Sequence, residues 1–181
     1  MNMRQKINAL RLQPIDTLDE SSLLKLLAIR NQKVVRENSH QSHFISEPEH
    51  FAWVADIKKD PKQCFLAVLE GQEIIGGAGL RHMDTNKSSA DWSFYLSEAR
   101  HGKGLGIALC ILALDHFFGE YQLAEITGET VAHNRVSQKL HSKLGFEKVK
   151  QSASGDKDNA IIVYKLSNSV WRDRRAALVS D

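Results

Sequence analysis

The chain has 181 residues, 42% of them hydrophobic and 25% charged, with a net charge of +2. That is one ordinary domain with enough apolar mass to fold without metal or disulfide staples, and too little positive charge to argue for a nucleic-acid partner. Its two cysteines, Cys64 and Cys110, each lie inside an apolar run, which reads as buried thiols and indicates neither a disulfide framework nor a cysteine metal site.

The N-terminal MNMRQKINALRLQPI lacks the apolar stretch of a signal peptide, and no segment approaches the roughly 18 apolar residues of a membrane span. A cytoplasmic protein with no membrane partner and no metal is expected. Residues 7–12, INALRL, predict a first strand closed by Pro14. From Asp19, DESSLLKLLAIRNQKVVREN predicts one helix, with capping residues at its start and apolar residues at helical spacing. SEPEHFAWVADIKK predicts a second, with Ser46 as N-cap, Pro48 in the first turn and Glu49 completing a capping box; Asp60-Pro61 ends it. CFLAVLE, IIGGAGLRHM and KSSADWSFYLS predict three antiparallel strands, with Trp92, Phe94 and Leu96 on one face. A glycine loop and a helix to about Phe118 follow, then strand LAEITGETV, the helix HNRVSQKLHSKLGF ending at its glycine, and two strands around the turn SASGDKDN. The C-terminal WRDRRAALVSD reads as an extra helical turn or a disordered segment. The division is one domain over 1–169 and a tail over 170–181.

The glycine loop RHGKGLG raises the functional question. Three glycines within five residues carry an entropic cost and need a reason, either a tight turn or a close approach to the backbone. A Walker loop is excluded because Leu105 follows Gly104, and a dinucleotide fingerprint fails at Ile107. A cradle of successive backbone N–H groups at a helix start, suited to a pyrophosphate, fits best; a bare turn is the alternative. Downstream, Asn134, Ser137 and His141 form one polar helical stripe beside an apolar stripe of Val136, Leu140 and Leu144. Such a pair of stripes is also what an ordinary surface helix carries.

RHGKGLG before a helix, the strand WSFYLS upstream, and Asn134 followed by LHSKLGF together resemble the Gcn5-related N-acetyltransferase (GNAT) family over roughly residues 7–167. The resemblance implies an α/β acyl-CoA N-acyltransferase fold: a mixed, mostly antiparallel central sheet of about six to seven strands flanked by about four helices. It implies acetyl-CoA as cofactor. His101, Gly102, Lys103, Gly104, Leu105 and Gly106 would hold its pyrophosphate, the edge at Phe94, Tyr95 and Leu96 its pantetheine arm, and Asn134 and Ser137 the region beyond the thioester. Two departures stand out. His101 replaces the usual Gln or Arg, and His141 replaces the usual Tyr that protonates the leaving thiolate, a proton imidazole can also supply. The expected chemistry is direct transfer in a ternary complex. Glu129 is a candidate base or a solvated strand residue.

Specificity is expected in the N-terminal helices, where Arg30, Asn31, Arg36, His43 and His50 cluster in sequence. Arginines beside a cofactor site suit a phosphate-bearing substrate, or are surface charges. IRNxxxVR with a later ISxxEH resembles one family branch, which acetylates the 4-amino group of UDP-4-amino-4,6-dideoxy-N-acetyl-beta-L-altrosamine in pseudaminic acid synthesis, upstream of flagellin glycosylation. That reading makes the partner a small nucleotide sugar and leaves a homodimer open. A ribosomal-protein-type alanine acetyltransferase and a non-catalytic coenzyme A sensor are the alternatives.

Overall fold

A helix, not a strand, opens the chain. Asn2 and Gln5 cap each other reciprocally and start α1 (Met3–Asn8), whose Met3 and Ile7, four residues apart, pack on the core. The strand expected over 7–12 therefore begins later, as β1 (Leu10–Pro14). Pro14 is tolerated because β1 is an edge strand. These features belong to a computed structural model that describes residues 1–86, 88–152 and 160–180.

The helix expected from Asp19 is capped there, but it runs as α2 (Glu20–Arg30) and α3 (Lys33–Glu37), broken at Asn31–Gln32. Next comes α4 (Glu47–Lys59), which starts at Ser46 and ends at Asp60 as expected. Only half of its capping box forms. Ser46 accepts the Glu49 N–H at 3.4 Å, while the Glu49 carboxylate accepts from His43 instead, at 2.8 Å.

Strands β2 (Cys64–Glu70), β3 (Glu73–Asp84) and β4 (Ser89–Leu96) form the antiparallel meander. β2 is apolar almost throughout because both its faces are buried: Leu66 and Val68 enter one core, Phe65, Ala67 and Leu69 the other. Then follow α5 (Leu105–Glu120), β5 (Glu125–Val131), α6 (Arg135–Leu144), β6 (Glu147–Gln151) and β7 (Ile161–Ser167). Beyond Ser152, the turn expected over 152–159 lies outside the described residues.

The expected tail segment holds a full helix, α7 (Asn168–Val179), capped by Ser167. It is docked, not loose: Trp171 Nε1–H donates to Asp115 at 3.1 Å, Arg175 pairs with the same carboxylate, and Arg174 donates to the Lys143 carbonyl at 2.8 Å. With α1 and the split-off α3, this brings the α-helices among the described residues to seven where four were expected.

The strands run in the order β1-β2-β3-β4-β5-β7-β6, antiparallel except for β4 and β5. Trp92, Phe94 and Leu96 share the face covered by α5 with α1, α6 and α7; α2 and α4 cover the other face. Both thiols are free: Cys110 is fully buried, Cys64 only half-buried. Among the described residues no helix is long and apolar enough to cross a membrane.

Candidate active site

The parallel pairing of β4 and β5 runs only from Ser89↔Glu125 to Trp92↔Gly128. Beyond that rung β4 continues to Leu96 and β5 to Val131 without pairing to each other, so the middle of the sheet opens into a fork. Register decides which groups line it. Ser97 N–H bonds the Ile75 carbonyl on β3, and antiparallel rungs alternate. Ser93 and Tyr95 thus also face β3, and Phe94 and Leu96 turn their N–H and C=O into the fork. Tyr95 instead sends its ring to the α2 face, stacked on Phe65 at 5.8 Å. On the other arm, the Ala132 N–H bonds the Ala160 carbonyl next to β7, and the alternation of rungs along the β5–β7 pair leaves Glu129 to turn its backbone into the fork.

The floor of the fork is aromatic. Trp92 stacks on Phe146 and donates its Nε1–H to His141 Nε2 at 3.3 Å. Gly128 opposite must be glycine, since a Cβ there would run into both of those ring nitrogens. His141 is 1% exposed and packed among Trp92, Phe94, Phe146 and Tyr164. Its Nδ1–H donates to the Ser137 carbonyl at 2.9 Å, so Nε2 is the acceptor. Burial pushes the imidazole down to about 4, against the backbone bond to Ser137 that raises it. With its Nδ1–H held by the Ser137 carbonyl and its Nε2 accepting from Trp92, the buried ring presents no free proton to a leaving thiolate, so the structure places His141 in the core and not in its expected general-acid position. The two stripes of α6 are also displaced, because His141 and Leu144 are buried while Val136 is 71% exposed.

At the open end of the fork sits the glycine loop. Gly102 and Gly104 both have φ near +75°, and Gly104 is the N-cap of α5. Having no side chain, that cap leaves the first N–H groups of the helix without a side-chain acceptor, and the first turn holds no acidic residue. Lys103 folds back onto the Ala99 carbonyl at 3.0 Å, and His101 donates from Nε2 to the Leu96 carbonyl at 3.1 Å. Leu105 turns its side chain into the core, and Gly106 faces Leu96 and Leu140 with room to spare. Asn134 caps α6, its Oδ1 accepting the Ser137 N–H at 3.0 Å, and its amide N–H reaches the Asn38 carbonyl at 3.4 Å. Ser137 Oγ lies 3.3 Å from His141 Nδ1.

Of the five residues expected to line a sugar-nucleotide pocket, most serve the backbone. Arg36 donates to the Asn31 and Ser42 carbonyls, Arg30 to the Gln41 carbonyl, and Asn31 makes a reciprocal pair of bonds with the Ile45 backbone. They clamp the loop over residues 38–46, which also explains the break between α2 and α3. His43 is engaged with Glu49 at the start of α4. His50 is buried against Phe51 and Trp53, donates to the Leu23 carbonyl at 3.0 Å, and is pushed below the usual imidazole range by burial. Buried there, its ring is not presented to solvent as its expected pocket-lining role requires. Arg30 retains one buried N–H, at Nη1, without a partner.

The clamped loop closes over the other side of the fork. His40 Nδ1 lies 3.5 Å from Glu129 Oε2, both side chains being partly exposed. Beside them is a cavity of about 360 Å³ lined by Glu37, Ser39, His40, Ser42, Val131, His133 and Ile161. His133 donates to the Glu37 carbonyl at 2.9 Å and ties this wall to α3.

Two positioning residues were not foreseen. Gln32 accepts the Glu98 N–H at 2.9 Å and donates to Ser97 Oγ, which holds the exit of β4 against the α2–α3 junction. Arg100 ties the same turn to Glu70 and Glu73 at the β2–β3 hairpin. Neither interaction has a local sequence signal, since each partner is at least 27 residues away.

Comparison with known proteins places this architecture. The family model described as an acetyltransferase (GNAT) domain matches residues 9–147. An uncharacterized N-acetyltransferase of the SPbeta prophage of Bacillus subtilis (strain 168), YokL, is 28% identical over 98 residues; the match spans 53% of this chain and 54% of that protein. Among solved structures, the spermidine N-acetyltransferase of Vibrio cholerae, in complex with CoA and spermine, superposes with a TM-score of 0.81 at 18% identity, over 91% of this chain and 99% of that one. The Campylobacter jejuni N-acetyltransferase PseH, in complex with acetyl coenzyme A, gives 0.67 at 16% identity, over 88% and 99%. At these identities the two structures share the fold. The family match covers most of the chain, and the chain belongs to the acetyltransferase (GNAT) domain family.

Proposed function

We propose that this chain acetylates a small cationic primary amine, which enters on the α2–α3 side of the fork and meets acetyl-CoA across it. The observation that carries this reading is the parting of β4 from β5 past Trp92 and Gly128, where the two arms no longer pair with each other, and the Glu129 carboxylate beside a cavity. The residues present fit the cofactor: glycines in the left-handed region, uncapped N–H groups at the start of α5, and the edge at Phe94 and Leu96. When bound, acetyl-CoA supplies a thioester carbonyl for the amine to attack. The Phe94 and Leu96 N–H groups, fixed by the β3 pairing, are donors already aimed into the gap where negative charge would develop. Glu129 takes the proton from the incoming ammonium, directly or through water, and the second N–H proton, released as the amide forms, would leave with the coenzyme A sulfur as a free thiol.

The shift from the nucleotide-sugar expectation follows from the arginines. Two guanidiniums spent on loop carbonyls are no longer a phosphate pocket. The nucleotide sugar stays as a second reading on one observation, the unpartnered Arg30 Nη1 close to Tyr95, which would welcome an oxygen acceptor. Thiol release from acetyl-CoA, measured in parallel with spermidine, the UDP-linked 4-amino sugar and an alanine-starting peptide, separates these. The proposal expects turnover with the polyamine. Turnover with the sugar nucleotide alone moves the assignment to Arg30. Turnover with the peptide alone replaces both, and coenzyme A binding with no turnover across a broad amine panel points to a sensor.

A further inference from the structure

We propose that Lys6, carried by the N-terminal helix α1, is a cofactor-binding residue whose ammonium neutralises the cofactor's pyrophosphate at the start of α5. The inference rests on reading the glycine loop as the pyrophosphate cradle. A Cβ built on Gly104 would stand 2.5 Å from Lys6 Nζ and 3.6 Å from its Cδ and Cε, so the end of the lysine lies directly across the helix N-cap.

Electrostatics makes that position informative. A helix N-terminus carries partial positive charge, and a cation placed there is repelled. Lys6 has no carboxylate within ion-pair distance among the described residues, and the first turn of α5 has none to offer. The free protein thus holds two like-signed sites against each other. An anion between them turns both contacts favourable.

The placement is built, not accidental. α1 is closed by the Asn2–Gln5 box, seated on the core by Met3 and Ile7, and tied to α7 by Arg4 Nε–H donating to the Val179 carbonyl at 3.0 Å. The lysine inside the motif, Lys103, is turned away to the Ala99 carbonyl. Of the two lysines at the loop, the one distant in sequence is the one available to an anion.

The test compares the full-length protein with Lys6→Met, Lys6→Arg and Gly104→Val by calorimetric titration with coenzyme A at about 50 and 300 mM salt. Lys6→Met is expected to weaken binding about tenfold at low salt and to flatten the salt dependence, with Lys6→Arg within about threefold of wild type. In turnover the loss should sit in KM for acetyl-CoA and not in kcat. The ratio of Lys6→Met to wild type should be the same with dephospho-coenzyme A, which keeps the pyrophosphate and lacks the ribose phosphate; a ratio that falls to one overturns the pyrophosphate assignment. The ligand-free Lys6→Met protein should melt no lower than wild type, because a repulsion has been removed; a clearly lower melting temperature would make Lys6 a structural strut and sink the proposal. If Lys6→Met binds like wild type while Gly104→Val does not, Lys6 is wrong and the cradle stands. If both bind like wild type, the cradle itself falls.

Discussion

Replacing His141 by alanine should unfold the protein more readily instead of removing a catalytic acid. The ring fills the space under the fork, stacks on Tyr164 with centroids 4.8 Å apart and accepts the Trp92 N–H. Its removal leaves a cavity and a buried donor without a partner, together costing about 3 kcal/mol. The pH dependence provides an independent check. The folded imidazole is held at about 4, below its usual 6.5, so the unfolded chain binds a proton that the native state refuses. The stability this contributes is complete above pH 6.5 and is lost as the pH falls through that window toward 4. Between pH 7.5 and 5 the wild type should lose about 2 kcal/mol through this one group. Urea unfolding of wild type and His141→Phe at both pH values reads it directly: the variant, having nothing to titrate, should be less stable at pH 7.5 but lose about 2 kcal/mol less on acidification. Loss of a general acid would instead slow turnover by about a hundredfold or more while stability stayed normal. That result would return His141 to the chemistry.

Features set by a single residue or a short run were legible in the sequence, and features set by distant partners were not. Strand β2 was legible to the residue because an unbroken apolar run bounded by polar residues has few other solutions. The glycine loop was legible because its demand is local: positive φ at Gly102 and Gly104 is a property of single residues. The environment of His141 was not, because its burial is decided by Trp92, Phe94, Phe146 and Tyr164, which come from other strands and the turn after α6. The same holds for Arg30 and Arg36. Their spacing suggested a phosphate pocket, yet the loop they clamp is polar, leaves carbonyls unpaired by any ladder, and claims the nearest donors first. The fork has no sequence signature at all. It exists because the β4–β5 rungs stop at Trp92↔Gly128, where indole and imidazole occupy the space a side chain on Gly128 would need. Lys6 lies beside a stretch that reads as a strand, and only the capping of α1 turns it toward the loop.

Glu129→Gln should slow turnover by about a hundredfold with little change in coenzyme A affinity. The reasoning starts from what the carboxylate does not do. It is 43% exposed, and the partner the structure gives its side chain is His40 at 3.5 Å, so it carries little of the fold. Melting temperature should therefore stay close to wild type, which separates this variant from those at His141. What Glu129 does have is position: the arm of the fork that leaves β4, a backbone turned into the gap, and a side chain beside the cavity on the amine's side. An alkyl ammonium arrives protonated at neutral pH and cannot attack until that proton leaves. Glutamine keeps the shape and hydrogen-bonding reach of the side chain and removes its capacity to take the proton, so the loss should fall on kcat. If the loss falls on the amine KM alone, Glu129 binds the cation and water takes the proton. If neither constant moves, the amine enters by another route, and the cavity between His40 and His133 is not its path.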